Sequence, residues 1–314
     1  MTVTDRDPNG TPVVAVIGPT ATGKSDLAVA LAQRLGGEVV NADSMQLYAG
    51  MDIGTAKLPP GERGGIPHHL LDVWPLAKSA AVAEYQQLAR AAIDEIRGRG
   101  LVAILVGGSG LYIRGALDRL DFPGESPPIR ARLAGELAEL GPAALHARLA
   151  ELDPVAASAI LPGNGRRIVR ALEVIEITGR PFVARMPAFD SIYPTIQFGL
   201  DRSDLDERVR LRVHRMIEQG FLDEVRALLP AGLRASPTAA KALGYQQLLD
   251  VLDDAGAVRG ELAEAIELTV RGTLRFVRRQ RSWFRRDPRL HWLDGGSPDL
   301  LADAWAVLST RLAP

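Results

Sequence analysis

The run Gly18-Pro19-Thr20-Ala21-Thr22-Gly23-Lys24-Ser25 has the spacing G-x-x-x-x-G-K-S. In a tight glycine turn that runs into a helix, backbone amides point inward at the positive end of the helix dipole and hold anionic oxygens. Lys24 adds a point charge, and Ser25 places a hydroxyl where Mg²⁺ takes one ligand. The flanks fit this use. An apolar run, residues 13–18, precedes the turn. Residues 25–35 follow it, with Leu27, Ala28, Leu31 and Leu35 on one helical face. All eight residues are expected to bind a di- or triphosphate.

Hydrolytic enzymes with such a loop usually hold the metal with an Asp at the end of another buried strand. The candidate strand, residues 101–106, instead runs into Gly107-Gly108-Ser109-Gly110. This disfavours motors and GTPases. It leaves a small-molecule or nucleotide kinase, or an enzyme that expels diphosphate. A third reading is an RNA-binding protein that uses nucleotide as a switch.

Asp43 is expected at the end of a second strand, residues 38–43. In an open parallel sheet the carboxyl ends of strands line the ligand crevice, which places Asp43 near the phosphate loop. A carboxylate there accepts a proton from an incoming nucleophile, or it caps a turn. Ser109 follows the buried strand into the same crevice, as a hydrogen-bonding group or as a structural serine. The glycines beside it are expected to let a ligand approach the backbone. His68 and His69 are consecutive, so on a strand they point to opposite faces. With no cysteine and no third ligand nearby, they are read as structural or pocket-lining.

Residues 271–286 (RGTLRFVRRQRSWFRR) hold seven arginines and no acid. The arginines suit a polyanion. Phe276 and Trp283 lie seven apart and share a helix face, so the aromatics are expected in the core. A second basic cluster, Arg166, Arg167 and Arg170, lies on another predicted helix, and Arg130 begins the first helix of the same region.

The elements that must position these groups follow from the pattern. Apolar runs alternate with amphipathic stretches: strands at 13–18, 38–43, 69–73 and 101–107, with helices at 25–35 and 80–97. This predicts an α/β P-loop core with a mainly parallel sheet flanked by helices. A Pro/Gly-rich break at 121–128 opens a stretch with no strand, helical in short pieces up to residue 178. A strand returns at 194–202. The chain is therefore divided into a core of residues 1–119 and 193–314 and an all-helical insertion domain of residues 120–192. Helices are expected at 204–219, 221–229, 238–253 and 258–285, and a last strand at 290–293.

Composition sets the limits. The 314 residues are 46% hydrophobic and 24% charged, the balance of a soluble globular protein. The net charge of −1 excludes a uniformly basic coat. The lack of cysteine removes disulfides, zinc ribbons and thiolate nucleophiles. The polar start, residues 1–12, has no signal-peptide core, and no apolar run is long enough for a bilayer. A cytoplasmic protein with no membrane association is expected.

Taken together, GPTATGKS (18–25), NADSMQLY (41–48), MDIGTAK (51–57), PHHLLD (67–72), VGGSGLY (106–112), RRIVRALEV (166–174), ALGYQQL (242–248) and RFVRRQRSWFR (275–285) resemble the bacterial tRNA dimethylallyltransferases, also called tRNA isopentenyltransferases. The resemblance spans most of the chain in the family's order. It implies transfer of the dimethylallyl group of dimethylallyl diphosphate to N6 of adenosine 37 in tRNAs reading codons that begin with U. It implies catalytic roles for Asp43 and Ser109, the latter standing where the family usually has Thr. It implies diphosphate binding by residues 18–25 and Arg208, with Mg²⁺ on Ser25. It implies contact with the anticodon stem-loop by Asp43, Ser44, Met45, Gln46, Ser109, Arg130, Arg166, Arg167 and Arg170. A monomer is expected.

Overall fold

The computed structural model describes residues 11–182 and 188–312. The polar start read for targeting falls mostly on residues 1–10, outside the described residues. The chain divides into two compact units, Met1–Asp118 with Ser191–Pro314, and Arg119–Asp190.

The first unit is built on six parallel strands: β1 (Val13–Ile17), β2 (Gly37–Asn41), β3 (His68–His69), β4 (Val102–Gly107), β5 (Thr195–Asp201) and β6 (Leu290–Asp294). Their order is β3-β2-β4-β1-β5-β6. Every residue of β1 is buried, because both faces of the sheet are covered. Val14 and Val16 pack on one side with Leu27 and Leu31 of α1 (Lys24–Leu35) and Leu308 of α11 (Leu300–Leu312). Val13, Ala15 and Ile17 pack on the other side with Tyr85 and Ile93 of α2 (Val82–Gly98) and Ile113 of α3 (Gly110–Leu117). All strands being parallel, their carboxyl ends share one edge. That edge carries the phosphate loop, Asp43 and Ser109.

The second unit holds α4 (Pro127–Leu152), α5 (Pro154–Ala159) and α6 (Gly165–Thr178) around its own core of Leu133, Leu145, Leu149, Ile168 and Leu172. The first of these breaks at Gly141, whose φ of 81° is outside the helical region and which precedes Pro142. No strand is present among its described residues.

The C-terminal part of the first unit adds α7 (Leu205–Glu218), α8 (Phe221–Leu228), α9 (Tyr245–Val251) and α10 (Leu262–Phe284). Leu205, Val209 and Val213, four residues apart, bury one stripe of α7 against Val270, Leu274 and Val277 of α10. Several expected bounds move. The third strand is two residues long rather than 69–73, because Leu70 and Asp72 take positive φ and break the extended run. Asp43 lies two residues beyond β2. The helix expected from 238 begins at Tyr245, since Gly244 takes a positive φ just before it. The helices α3 and α11 were not foreseen.

Candidate active site

Between β1 and α1 the phosphate loop turns through Gly23, whose φ of 88° caps the helix in the left-handed region. Thr22 Oγ1 donates to the Pro19 carbonyl at 2.9 Å, which tightens the turn. Lys24 Nζ also folds back onto the Pro19 carbonyl. Lys24, Ser25 and the rest of the loop from Thr20 line a cavity of about 260 Å³, together with Asp43, Gln46, Arg208, Arg212 and Gln280. The loop and Asp43 therefore meet, as their positions at strand ends require. Gly18 and Pro19 lie behind this lining, in the turn itself.

The electrostatics suit an anion with several charges. The Lys24 amine is pushed down to about 7, first by burial and then by the positive charge of Arg212, with Asp43 pulling the other way. Burial likewise lowers Arg212, opposed by Asp43. Arg208 Nε donates to the Ala21 carbonyl at 3.0 Å. Arg208 and Arg212 are four apart on α7, so the helix that buries Val209 and Val213 presents both guanidiniums to one cavity. Two helix-borne cations and a lysine thus share the cavity with the carboxylates of Asp43 and Asp26.

Asp43 does both things its position allowed. One carboxylate oxygen caps the turn by accepting from the Met45 amide at 2.9 Å. The other oxygen has no hydrogen-bond partner among the described residues. Asp43 also lines a second cavity of about 330 Å³, whose walls include Val209, Val213, Met216, Phe221, Leu243 and Phe276. Thr20, Thr55 and Arg212 line both cavities too. The polar cradle and the apolar chamber thus meet at Asp43.

Ser109 lines the apolar chamber, as do Ser44 and Met45. Its Oγ accepts from the Ser44 amide at 3.2 Å and donates to Ser44 Oγ at 3.3 Å. Gln46 reaches the polar cavity, with Nε2 donating to the carbonyls of Thr55 and Ala56 at 3.1 and 3.3 Å.

Of the glycines beside Ser109, Gly107 and Gly108 line the phosphate cavity. The missing side chains also admit protein: a Cβ at Gly108 would lie 2.4 Å from Gln280 Nε2, and one at Gly110 would lie 2.2 Å from Trp283 Nε1. One expectation is corrected here. Phe276 is not in the core with Trp283 and Phe284. Phe276 is half-buried and lines the chamber, with Arg279 over its ring at 5.7 Å, although Leu274 and Val277 on either side of it in α10 are buried.

The arginine run is less uniform than its composition suggests. Arg281 pairs with Asp201 at 2.7 Å, and Arg285 approaches the same carboxylate at 3.6 Å. Arg271, Arg275, Arg278 and Arg286 are exposed and have no acidic partner among the described residues. His68 and His69 lie outside both cavities. His69 pairs with Glu38 at 2.7 Å, and His68 Nδ1 lies 2.8 Å from the Ile66 carbonyl. No group of three or more His, Asp or Glu residues suited to a metal occurs among the described residues.

The four remaining candidates belong to the second unit. Arg130 and Arg170 both bind the fully buried Glu173 at 2.8 Å, and Arg170 also donates to the Pro123 carbonyl at 2.7 Å. These two arginines hold their own unit together. Arg166 and Arg167, in the first turn of α6, are exposed.

Sequence reasoning missed Gln280 and Arg212. The Gln280 amide accepts from Thr20 N at 3.2 Å and donates to the Gly108 carbonyl at 2.9 Å, joining the phosphate loop to the turn after β4. Arg212 was visible only as one basic residue among offsetting acids. Its spacing from Arg208 was the available signal.

Comparison with known proteins places the chain in a family. The family model described as IPP transferase matches residues 46–287. The chain belongs to the IPP transferase family. The matched range begins at Gln46 and covers Ser109, α7 and α10, while the phosphate loop and Asp43 lie before it. Relatives of the chain include the tRNA dimethylallyltransferase of Streptomyces coelicolor, 66% identical over 91% of both chains. That of Thermobifida fusca is 63% identical over 94% of both. Among solved IPP transferase structures, the tRNA isopentenylpyrophosphate transferase of Bacillus halodurans is 37% identical. Its TM-score is 0.69, over 96% of this chain and 95% of that one. A eukaryotic dimethylallyltransferase acting on tRNA is 25% identical. Its TM-score is 0.80, over 96% of this chain and 79% of that one.

Proposed function

We propose that this protein transfers the dimethylallyl group of dimethylallyl diphosphate to N6 of adenosine 37 in tRNAs reading codons that begin with U, releasing diphosphate. The observation that carries the reading is the join at Asp43 between a cationic phosphate cradle and an apolar chamber. A diphosphate ester with a hydrocarbon tail fits that pair of cavities. A kinase acceptor, whose hydroxyl comes with polar surroundings, leaves the chamber of Val209, Val213, Met216 and Phe276 without a purpose.

The chemistry follows from the placement. The allylic C–O bond breaks and its electron pair leaves with the diphosphate. Amides of residues 20–25, Lys24, Arg208 and Arg212 stabilise the growing negative charge, in a site already organised before reaction. The exocyclic amine is a weak nucleophile, because its lone pair is delocalised into the purine. Its nitrogen forms the new C–N bond as the free oxygen of Asp43 takes its proton. Ser109 holds Ser44, and through it the loop that carries Asp43.

A divalent cation suits the donor set. Mg²⁺ usually takes one or two protein oxygens and fills its shell from phosphates and water. Ser25 supplies one such oxygen in the cradle. When bound, Mg²⁺ would add to the neutralisation of the departing diphosphate.

Adenosine 37 lies in a single-stranded loop and is extruded at lower cost than a paired base. We assign Ser44, Met45 and Gln46 to the incoming base and its neighbours. Arg166 and Arg167, with the helical insertion domain of residues 120–192, are assigned to the stem. Arg271, Arg275 and Arg278 add counter-charge for phosphates. Arg130 and Arg170 act indirectly, by ordering the helix that bears Arg166. No helix among the described residues is long and apolar enough to cross a membrane.

The test uses an unmodified anticodon stem-loop with either labelled dimethylallyl diphosphate or γ-labelled ATP. Label in RNA from the first donor and not the second supports the reading. Label from ATP alone would replace it with phosphoryl transfer.

A further inference from the structure

The segment Asp52–Ile53–Gly54 points three successive backbone amides at one carboxylate. Glu224, in the first turns of α8, accepts from the amides of Asp52 at 3.0 Å, Ile53 at 2.6 Å and Gly54 at 3.1 Å. It also accepts from the Tyr245 hydroxyl at 2.5 Å. Three adjacent amides turned to one side form an anion nest. Here the anion is a side chain of the protein itself, 170 residues away in sequence.

The segment is fastened at other points as well. Lys57, 8% exposed, donates to the Tyr48 carbonyl at 3.0 Å and pairs with Asp52 and Asp72 at 2.5 Å each. On its inner side, Gly54 lies against the rings of Phe221 and Tyr245. A Cβ there would fall 2.1 Å from Phe221 and 2.5 Å from Tyr245, so only glycine allows the approach.

What this segment walls is the join of the two cavities. Gly54 and Thr55 line the apolar chamber, and Thr55 and Ala56 line the phosphate cavity. The Thr55 and Ala56 carbonyls are the acceptors that hold Gln46. We infer that Glu224 is a positioning residue for the transfer: by binding the amides of residues 52–54 it sets the wall at which donor and acceptor meet, and with it Gln46 on the acceptor side. The inference rests on the proposed reaction.

The experiment compares wild type with Glu224→Gln, which keeps the shape but loses one good acceptor and the charge. Three quantities are read: kcat for prenyl transfer to the stem-loop, affinity for inorganic pyrophosphate, and hydrogen exchange of the amides of residues 52–54. The expected result is at least a tenfold loss in kcat, pyrophosphate affinity within twofold of wild type, and faster exchange of those amides. Gly54→Ala, which displaces the same segment from the ring side, should lower kcat in the same way. Faster exchange with unchanged kcat would overturn the inference, as would equal losses in kcat and pyrophosphate affinity. If Glu224→Gln does not fold, an unchanged kcat in Gly54→Ala overturns it. Absence of transfer by wild type would instead strike the reaction itself.

Discussion

Ser109 Oγ and the Ser44 amide lie 3.2 Å apart in a hydrogen bond that ties the turn after β4 to the loop after β2. The loop so held carries Asp43. Ser109→Ala removes one neutral hydrogen bond acceptor, an effect of about 1 kcal/mol, or about fivefold in rate. The expected outcome is a several-fold fall in kcat for Ser109→Ala and full activity for Ser109→Thr, which keeps the hydroxyl. Steady-state kinetics of the pair checks this. Wild-type kcat in the alanine variant would show that the serine positions nothing.

Lys24 gives the site a pH signature. Its amine sits at about 7 in the free protein because burial and Arg212 disfavour the charge. Pyrophosphate restores that charge, so above pH 7 its binding draws a proton to Lys24. Calorimetry at pH 8 in buffers of different ionisation enthalpy should show more proton uptake for wild type than for Lys24→Met, with a smaller difference at pH 6. Stability runs the other way. The unfolded chain binds this proton more tightly, so the penalty builds as pH falls from 10.5 to 7 and stays below that. Equal proton uptake by the two proteins at pH 8 would refute the assignment.

In the second unit, Glu173 is held as an anion against its burial by Arg170, Arg130 and the Ser126 amide, and its carboxyl is lowered below the usual range. A depressed carboxylate contributes stability above its unfolded pKa and loses it as pH falls through the folded one. Arg130→Gln should destabilise at neutral pH by on the order of 2 kcal/mol, discounted for the exposure of the arginine. The deficit should shrink in acid below pH 4. Chemical denaturation at several pH values measures it. A deficit independent of pH would mean that Arg130 acts through packing.

Arg166, by contrast, is exposed at the start of α6. Arg166→Ala should leave unfolding unchanged, weaken stem-loop binding, and reduce the slope of log affinity against log salt by about 0.7–0.9, the value of one phosphate contact. Binding titrations from low to physiological salt decide it. An unchanged slope would remove Arg166 from the RNA surface.

The reading of the chain shows which features are local. Residues 18–25 were legible because the turn and its helix are contiguous, and β1 and β4 because strands covered on both faces read as unbroken apolar runs. Asp43 was placed in the crevice by its position after β2, but not its division between turn cap and free oxygen. Gln280, Arg212 and Glu224 were not legible as site residues. Each is brought to the site by helix packing, 260 residues from its partner in the case of Gln280 and Thr20. The arginine run misled for the same reason. Its acid, Asp201, sits on β5 and appears in no window that contains Arg281. Phe276 misled because a shared helix face does not show that the space beside one of its residues is an open cavity.

The measurement that bears most directly on the account is single-turnover transfer by Asp43→Ala with saturating donor and stem-loop. Loss of the proton acceptor should slow the chemical step by a factor of roughly a hundred or more. Binding of pyrophosphate and of RNA should stay within a few-fold of wild type. A rate constant near that of wild type would contradict the role given to Asp43.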